Sequence, residues 1–422
     1  MNKALSKTVA AAVIAIIIIA VVALYIYYTS QGAPKPTTTT PVTSTPATQN
    51  VSKIKVAVLF DVGGRGDLSF NDMAVLGAER AKKDFGVEID YQTPKSLSDM
   101  VPLLESLSRS GEYKLLILVG FLWTSPLNET ADKYPNQKYA LIDATTGVYR
   151  PNEVDFLFRE QEVGALVGII ASGMATQLGS DKVGAVAGMS IPPLWKFHIG
   201  YLFGIKYFEK YTGKKIDLIW QYTGTFTDTQ KGYQAGWQEL EQGATVLYGL
   251  AGLTHVGMFN AVIDWNKQGR GKAFAIGQDA SQEWYAPQYI PLSGSKRVDV
   301  AVYTAIKMIV ENKWTPGIFS LGVKEGGVGI WDLDGVKYFA DIAYETGRLK
   351  DLTPDQVVKI VNETRNKYIP SVSWELVNKL KTMLEKGEIE FKTPTSEAEY
   401  NAIITELLKG NLNAALAKGS VS

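Results

Sequence analysis

KVAVLFDVGGRGDLSFNDMAV, residues 55–75, contains the pattern from which the fold class can be inferred. Its first six residues are mostly apolar and rich in valine, which predicts a buried strand. A glycine-rich turn follows, and the residues up to about 85 then predict a helix. A short apolar strand that runs through such a turn into a helix is typical of an α/β fold with a parallel sheet.

The same alternation of strands and helices continues along most of the chain. Apolar runs predict further strands at residues 115–121, 139–143, 155–158, 183–187, 218–222, 245–250 and 273–277. Helical periodicity marks residues 160–177, 194–211, 229–242 and 256–267. About nine strands exceed one comfortable doubly wound sheet, so we expect two α/β lobes with parallel sheets.

Beyond about residue 342 the strand pattern stops. Helices are predicted at residues 353–368, 373–387 and 396–408, and the first of them begins with a threonine and a proline, a reasonable helix start. We therefore expect a helical C-terminal extension, to which the sequence assigns no chemistry.

The composition argues against several classes of function. Lys+Arg and Asp+Glu both total 43, and a formal net charge of zero gives no support to a nucleic-acid partner. The 422 residues include no cysteine, which removes disulfides, thiolate metal sites, cysteine nucleophiles and lipid attachment to an N-terminal cysteine. His198 and His255 are the two histidines, so neither a histidine metal cluster nor a histidine-based triad is expected. We expect no metal and no cofactor.

Residues 1–28 predict a membrane anchor. The run from Thr8 to Tyr28 carries no charge and is long enough to span a bilayer. Lys3 and Lys7 precede it, so the positive-inside rule places the remainder of the chain outside the membrane. A cleaved signal peptide is the alternative to this single-pass anchor. Residues 29–52 are dominated by threonine, proline and serine, which predicts an extended extracellular linker.

Polar residues and glycines follow several predicted strands. They are Asp61, Gly120, Asp143, Gly188, Gly224, Gly252 and Asp279. Ligands of open α/β sheets bind beyond the carboxyl ends of the strands, so the set favours a polar pocket between two facing lobes. The alternative is that the aspartates cap helices and the glycines make turns.

Residues 61–71, DVGGRGDLSFN, resemble the D-x-G-G-x-x-D-x-S-F-N signature of the basic membrane protein family, the purine-nucleoside-receptor-like substrate-binding proteins of ABC transporters. Further segments that resemble the family follow in the same order. They are VGF (119–121), LID (141–143), FREQEVGALVG (158–168), VGAVAGM (183–189), YTGTFTD (222–228), IGQD (276–279), SKRVD (295–299) and GVKEGGVG (322–329). The resemblance covers about residues 53–330.

The resemblance implies the two-lobed type I periplasmic-binding-protein fold, in which the chain crosses three times between lobes at a hinge. Residues 53–340 are expected to form the substrate-binding domain and residues 341–422 the extension. Lobe 1 is expected to hold about 53–158 and 280–296, and lobe 2 about 159–279 and 297–330.

A nucleoside between the lobes is the ligand that the resemblance implies. Phe70 and Phe226 match the family's two aromatic residues that sandwich the base, and base faces stack well on such rings. Asp143 matches the carboxylate that binds the base edge. Asp279 and Lys296 match the pair that holds the ribose hydroxyls, since a carboxylate can accept from two of them.

Four more residues bear on the expected site. Asp67 and Asn71 lie near the same mouth, and the alternative for both is a turn or helix-cap role. Trp195 is expected at the pocket edge, and Gly252 follows a predicted strand. Trp195 and Gln278 depart from the family pattern, which leaves the ligand more open than the fold. The anchor and the missing cysteine favour an archaeal cell surface.

Other functions were weighed against nucleoside capture for a transporter. A sugar or other small metabolite would also suit aromatic rings and carboxylates. An enzyme is not expected, since no phosphate loop, H-E-x-x-H or G-x-S-x-G motif is present. A regulator on the same fold would need a DNA-binding module. The resemblance implies a separate ABC permease and ATPase as partners.

Overall fold

The computed structural model describes residues 54–421. The predicted anchor at 1–28 and the predicted linker at 29–52 lie outside the described residues. Within residues 54–421, no helix is long and apolar enough to cross a membrane. The described chain forms two six-stranded sheets and one small two-stranded sheet.

The first sheet belongs to lobe 1. Its first five strands are β1 (Lys55–Leu59), β2 (Glu88–Gln92), β3 (Leu115–Val119), β4 (Tyr139–Ile142) and β5 (Glu153–Phe158). They pair in parallel in the order β2-β1-β3-β4-β5. The connecting helices are α1 (Phe70–Phe85), α2 (Met100–Ser110) and α3 (Thr124–Thr130). All five residues of β3 are buried, as expected for a central parallel strand covered on both faces.

The second sheet belongs to lobe 2 and repeats this order. Its parts are α4 (Glu160–Gln177), β6 (Lys182–Ala187), α5 (Pro192–Thr212), β7 (Asp217–Tyr222), α6 (Thr229–Glu241), β8 (Val246–Leu250), α7 (Leu253–Lys267), β9 (Phe274–Asp279) and β10 (Leu292–Lys296). The strands pair in parallel in the order β7-β6-β8-β9-β10. Helices α4 and α5 pack closely because glycines face each other's backbone; a Cβ on Gly168 would lie 2.3 Å from the carbonyl oxygen of Tyr201.

The chain then returns to lobe 1 before ending in lobe 2. Helix α8 (Val298–Val310) packs on α1, where a Cβ on Gly77 would lie 2.2 Å from the Asp299 carbonyl oxygen. Strand β11 (Gly317–Leu321) adds in parallel to β5. Strand β12 (Val328–Ile330) adds antiparallel to β10. The three crossings expected at the hinge are therefore at residues 158–160, 296–298 and 321–328.

The expected lobe boundaries in the second half were wrong. Residues 280–296 were expected in lobe 1, but β10 pairs with β9 of lobe 2. Residues 297–330 were expected in lobe 2, but α8 packs on α1 and β11 pairs with β5, so residues 298–321 belong to lobe 1. The sequence pattern does not specify sheet membership, because two neighbouring strands can pair with partners far away along the chain.

The C-terminal extension packs on lobe 2. It contains α9 (Leu333–Glu345), α10 (Pro354–Tyr368), α11 (Ser371–Glu385), α12 (Glu397–Leu408) and the antiparallel pair β13 (Glu390–Phe391) and β14 (Leu416–Lys418). Helix α9 begins before residue 341, so the expected boundary falls inside a helix, and the extension is helical apart from the small sheet. Buried Arg365 fastens α10 by donating to the Pro291 carbonyl oxygen at 2.7 Å and to the Glu283 carboxylate at 2.9 Å.

Candidate ligand-binding site

A cavity lies between the lobes at the carboxyl ends of both sheets, with an empty volume of about 700 Å³ that extends into its open mouth. Eight of the nine expected site residues line it. They are Asp67, Phe70, Asn71, Asp143, Phe226, Gly252, Asp279 and Lys296. Trp195 is absent from the lining. The topology therefore brings together side chains that are up to 229 residues apart in sequence (67 to 296).

Two aspartates end equivalent strands of the two lobes. Asp143 follows β4 and Asp279 ends β9, and these strands hold the same place in the two sheet orders. Both have positive φ, 71° and 73°, and both are buried. A non-glycine residue in this conformation is uncommon and costs energy, and such residues cluster at functional sites. The strained backbone supports a ligand-binding role for both.

A buried network of charged side chains adjoins the cavity, and Asp143 and Lys296 are its members that line the cavity. The Lys296 ammonium lies 2.6 Å from Asp143 Oδ2 and 2.8 Å from Glu160 Oε1. Lys196 lies 2.5 Å from Glu160 Oε2 and donates to the Phe158 carbonyl oxygen at 2.8 Å. The network contains two cations and two carboxylates, so no charge is left alone in a low-dielectric interior. Because Asp143 belongs to lobe 1 and Lys296 to lobe 2, the network also joins the lobes.

Burial and neighbouring charges set the protonation of this network. Burial alone would raise the pKa of Glu160, but the Lys196 and Lys296 ammoniums lower it to about 2. Burial raises the pKa of Asp143 well above its ordinary value, against the attraction of Lys296. Burial would lower the pKa of Lys296, but the carboxylates of Asp143 and Glu160 raise it. The lysine therefore stays charged.

Asp279 is held by hydrogen bonds rather than by an ion pair. Its Oδ2 accepts from the Ser69 hydroxyl of lobe 1 at 2.6 Å, and its Oδ1 accepts from the Gln278 side-chain amide at 3.1 Å. Burial raises its pKa, which Lys296 opposes. Gln282 of lobe 2 adds a further contact between the lobes by donating to the Leu68 carbonyl oxygen at 3.1 Å.

Asp67 caps the first helix, in agreement with the alternative weighed for it. Its carboxylate accepts from the backbone N–H groups of Ser69 at 3.0 Å, Asn71 at 2.8 Å and Asp72 at 3.1 Å. Burial, together with the charge of Asp72, raises the pKa of Asp67 to about 7. The carboxylate thus fixes the loop that carries Phe70 and Asn71.

Two buried side-chain oxygens of lobe 1, on residues that line the cavity, have no hydrogen-bond partner and are in this sense open. The Asn71 side-chain nitrogen donates to Asp61 Oδ1 at 3.0 Å, which leaves Asn71 Oδ1 without a hydrogen-bond partner. Asp143 Oδ1 is likewise buried and accepts no hydrogen bond, although the Glu160 carboxyl lies within hydrogen-bonding reach of the Asp143 side chain. A buried oxygen without a partner costs free energy, so both oxygens favour a ligand that carries hydrogen-bond donors.

Phe70 and Phe226 supply aromatic surface from opposite lobes. Phe70 begins α1, and its ring centroid lies 5.1 Å from the Lys296 ammonium. The Phe226 ring lies against the backbone at Gly188, where a Cβ would come within 2.2 Å of the ring. Gly252 has φ 53°, and a Cβ there would lie 3.4 Å from the Phe226 carbonyl oxygen. Gly252 therefore contributes to the cavity wall through its backbone conformation and its close approach to Phe226.

Trp195 does not line the cavity and packs against the C-terminal extension. Its indole N–H donates to the Ser190 hydroxyl at 2.8 Å, and its ring stacks on Tyr400 of α12 at a centroid distance of 5.5 Å. Trp195 was expected at the pocket edge. Its contact with α12 could not be predicted from the sequence, because α12 lies some two hundred residues further along the chain and shows no pattern that specifies where it packs.

Further residues line the cavity: Asp61, Phe121, Leu122, Leu194, Phe197 and His255. Asp61 belongs to the strand-end set that favours a polar pocket. The other five were not expected at the site, because they carry no signal that separates them from core residues. His255 Nδ1 accepts from the Ala251 backbone N–H at 3.1 Å, and burial lowers its pKa to about 4, so it is neutral at pH 7.

The site can enclose and hydrogen-bond a small polar molecule. Across residues 54–421, no cluster of three or more histidine, aspartate, glutamate or cysteine side chains could hold a metal ion. Two hinged α/β lobes with a hydrogen-bonding cavity at the carboxyl ends of both sheets define the class of two-lobed solute-binding proteins.

The comparisons place the chain within that class. Residues 54–374 match the family model of PnrA-like ABC transporter substrate-binding proteins, and the chain belongs to this family. Proteins of this kind bind small ligands and work with permease and ATPase subunits.

Among curated proteins, an uncharacterized lipoprotein of Pyrococcus horikoshii is 73% identical over 368 residues, covering 87% of this chain and 91% of the relative. Basic membrane protein B of Borreliella burgdorferi is 29% identical over 296 residues, covering 68% and 83%. The resemblance to the basic membrane protein family is thereby confirmed.

Among solved structures, an ABC transporter solute-binding protein of Aeropyrum pernix is 56% identical with a TM-score of 0.85, covering 86% of this chain and all of that one. AraP, an arabinose-binding protein of Geobacillus stearothermophilus, is 14% identical with a TM-score of 0.52, covering 68% and 99%. This second likeness shows the fold alone. The two-lobed periplasmic-binding-protein fold is confirmed.

Proposed function

We propose that this protein captures a nucleoside, with a purine favoured, outside the cell membrane and delivers it to an ABC importer. The observation that carries the proposal is one cavity lined by Phe70 and Phe226 from opposite lobes and by the open oxygens of Asn71 and Asp143. A nucleobase offers two faces for stacking on aromatic rings and N–H groups at its edge for open acceptors.

The ribose would lie on the lobe 2 side. Asp279 ends β9 beside Lys296, and its carboxylate has further lone pairs beyond those that Ser69 and Gln278 use. Ribose hydroxyls are donors that such a carboxylate accepts.

Capture would proceed by hinge closure without chemical change to the ligand. A ligand that contacts both lobes binds the closed form better than the open form and shifts the equilibrium toward it. The contacts of Lys296 with Asp143 and of Asp279 with Ser69 are made between lobes, so they would stabilise the closed form. The closed form is then the one that the permease would recognise.

The location proposed is the outer face of the cell membrane. The P. horikoshii relative is named a lipoprotein, which supports an extracytoplasmic, membrane-held protein. This sequence contains no cysteine to carry a lipid, so residues 1–28 would serve as a single-pass anchor and residues 29–52 as the linker.

Isothermal titration of the full-length chain in detergent tests the proposal, after unfolding and refolding to remove carried-over ligand. The titrants are adenosine, guanosine, inosine, uridine and cytidine, with ribose, arabinose and glucose alongside. Micromolar or tighter binding of a nucleoside, weakened in Phe226→Ala, is the expected result. Lys307→Ala, on an exposed helix face, is the control and should bind normally.

A sugar is the second candidate, because four aspartates surround the cavity. Asp61, Asp67, Asp143 and Asp279 offer acceptors that hydroxyl groups can satisfy. The relative AraP is named as binding arabinose. Binding of a sugar with no response to any nucleoside would replace the nucleoside by this candidate.

A further inference from the structure

An aromatic cluster joins the C-terminal extension to the lobe 2 wall of the cavity. It consists of Trp195 and His198 on α5, Trp220 and Tyr222 on β7, and Tyr400 on α12. Tyr400 stacks on Trp195 at 5.5 Å with an interplanar angle of 13°, and His198 stacks on Trp220 at 4.0 Å and 7°. Stacked pairs of this kind stabilise a contact beyond the area that they bury.

The Tyr400 hydroxyl connects both lobe 2 elements of this cluster. It lies 2.6 Å from His198 Nδ1 and 3.3 Å from the Tyr222 hydroxyl. Tyr400 is 6% exposed, so these bonds are made away from solvent. One side chain of the extension therefore holds α5 and β7 together.

Each of these two elements carries part of the cavity wall. The first turns of α5 bring Pro193, Leu194 and Phe197 to the cavity. Strand β7 leads directly into the segment that ends at Phe226. A shift of α5 would move Leu194 and Phe197, and a shift of β7 would move Phe226, relative to the lobe 1 side of the cavity. Small misplacements weaken a pre-organised site.

We propose that Tyr400 is a positioning residue of the ligand site, which fixes the lobe 2 aromatic wall although it touches no ligand. The proposal rests on the cavity being the ligand site, as in the proposed function, and does not depend on which ligand binds. The proposal also gives the C-terminal extension a role in ligand binding. Trp195, which was expected to contact the ligand, instead contacts Tyr400 of the extension.

The experiment compares Tyr400→Phe, Tyr400→Ala and the exposed control Tyr344→Ala in the full-length chain. Tyr400→Ala loses stack and hydrogen bonds, and binding of the titrants above should weaken about tenfold. Tyr400→Phe keeps the stack and should weaken binding only about threefold. Tyr344→Ala should bind as the wild type does. The melting temperature of each variant is measured in parallel.

Hydrogen–deuterium exchange of the ligand-free proteins provides a readout that needs no ligand. Tyr400→Ala should speed exchange at residues 192–198 and 222–226 relative to Tyr344→Ala, with Tyr400→Phe in between. Unchanged exchange in those segments, or unchanged affinity in Tyr400→Ala, overturns the positioning role. If the wild type binds no titrant, the proposed ligands fail, and exchange alone decides on Tyr400.

Discussion

Asp143 of lobe 1 and Asp279 of lobe 2 invite comparison because they are alike in residue type, strand position, burial and positive φ. They differ in their partners. Asp143 is paired with Lys296 and keeps one open oxygen, whereas both oxygens of Asp279 are already bonded within the protein, one of them to Ser69 of the other lobe. The repeated topology supplies two equivalent carboxylates, and their neighbours give them different tasks. Both join the lobes, Asp143 through Lys296 and Asp279 through Ser69, but in the proposed function only Asp143 keeps an oxygen without a partner for the ligand.

The largest effect is expected from removing the cation that distinguishes Asp143. Lys296→Met leaves Asp143 without its partner and Glu160 with Lys196 alone. Breaking a buried pair in this way lowers the free energy of unfolding by about 3–5 kcal/mol. Guanidinium unfolding measures it.

Lys307→Met is the control, because Lys307 pairs with Glu311 at 3.7 Å on an exposed helix face. Its loss should cost about 0–1 kcal/mol. Equal losses in the two variants would contradict a stabilising role of the buried network.

Replacing each aspartate by asparagine tests whether Asp143 and Asp279 differ in their contribution to ligand affinity. Asp143→Asn replaces one carboxylate oxygen by an amide group and removes the negative charge of the acceptor. Nucleoside affinity should therefore fall about 10- to 100-fold. Asp279→Asn keeps an oxygen for Ser69, so affinity should fall only about threefold. Titration calorimetry gives both values. A larger loss in Asp279→Asn would mean that the open oxygen of Asp143 does not determine binding.

Ser69→Ala sharpens the role of Asp279 as a contact between lobes. The variant removes the 2.6 Å bond across the cavity and leaves the open oxygens of lobe 1 unchanged. Ligand affinity should fall about three- to tenfold, because one hydrogen bond of the closed form is lost. Ser98→Ala, an exposed change in lobe 1, should have no effect. An unchanged affinity in Ser69→Ala would show that closure does not use this bond.

The smallest effect is expected from pH. Burial raises the pKa of Asp143 above its ordinary value, so protonation sets in at higher pH than for an exposed aspartate. A protonated Asp143 is a poorer acceptor, and nucleoside affinity should therefore decline as the pH falls through the range of the raised pKa. Titrations over this range should show the decline in the wild type and a flatter profile in Asp143→Asn. A flat wild-type profile would contradict an acceptor role for Asp143.

Much of the architecture could be predicted from the sequence, since buried strands such as β3 are unbroken apolar runs and α4 has the bounds expected for it. Strands such as β2 and β11 were missed because edge strands are only partly buried and lack that pattern. Sheet membership after residue 279 also failed, because it depends on pairing between distant segments.

The site was predicted as a set of residues, but their contacts were not. Aspartates such as Asp143 and Asp279 can be recognised in the sequence because they directly follow or end an apolar strand. The ligand cavity of such a fold lies at the carboxyl ends of the strands. The contacts of the predicted site residues depend on residues that are close in space but distant in sequence. Examples are the pairing of Asp143 with Lys296, the hydrogen bond of Asp279 with Ser69 and the stacking of Trp195 on Tyr400.

The most direct test of the account measures the distance between lobes in solution. Ser125→Cys at the start of α3 and Gln230→Cys at the start of α6 introduce two spin-label sites into a chain that has no other cysteine. Electron–electron double resonance is recorded without ligand and with a saturating mixture of the five nucleosides. Closure of the lobes on the ligand should give a shorter, narrower distance distribution with nucleosides, partly reversed by Ser69→Ala. An identical distribution with and without nucleosides would contradict capture by closure of the lobes.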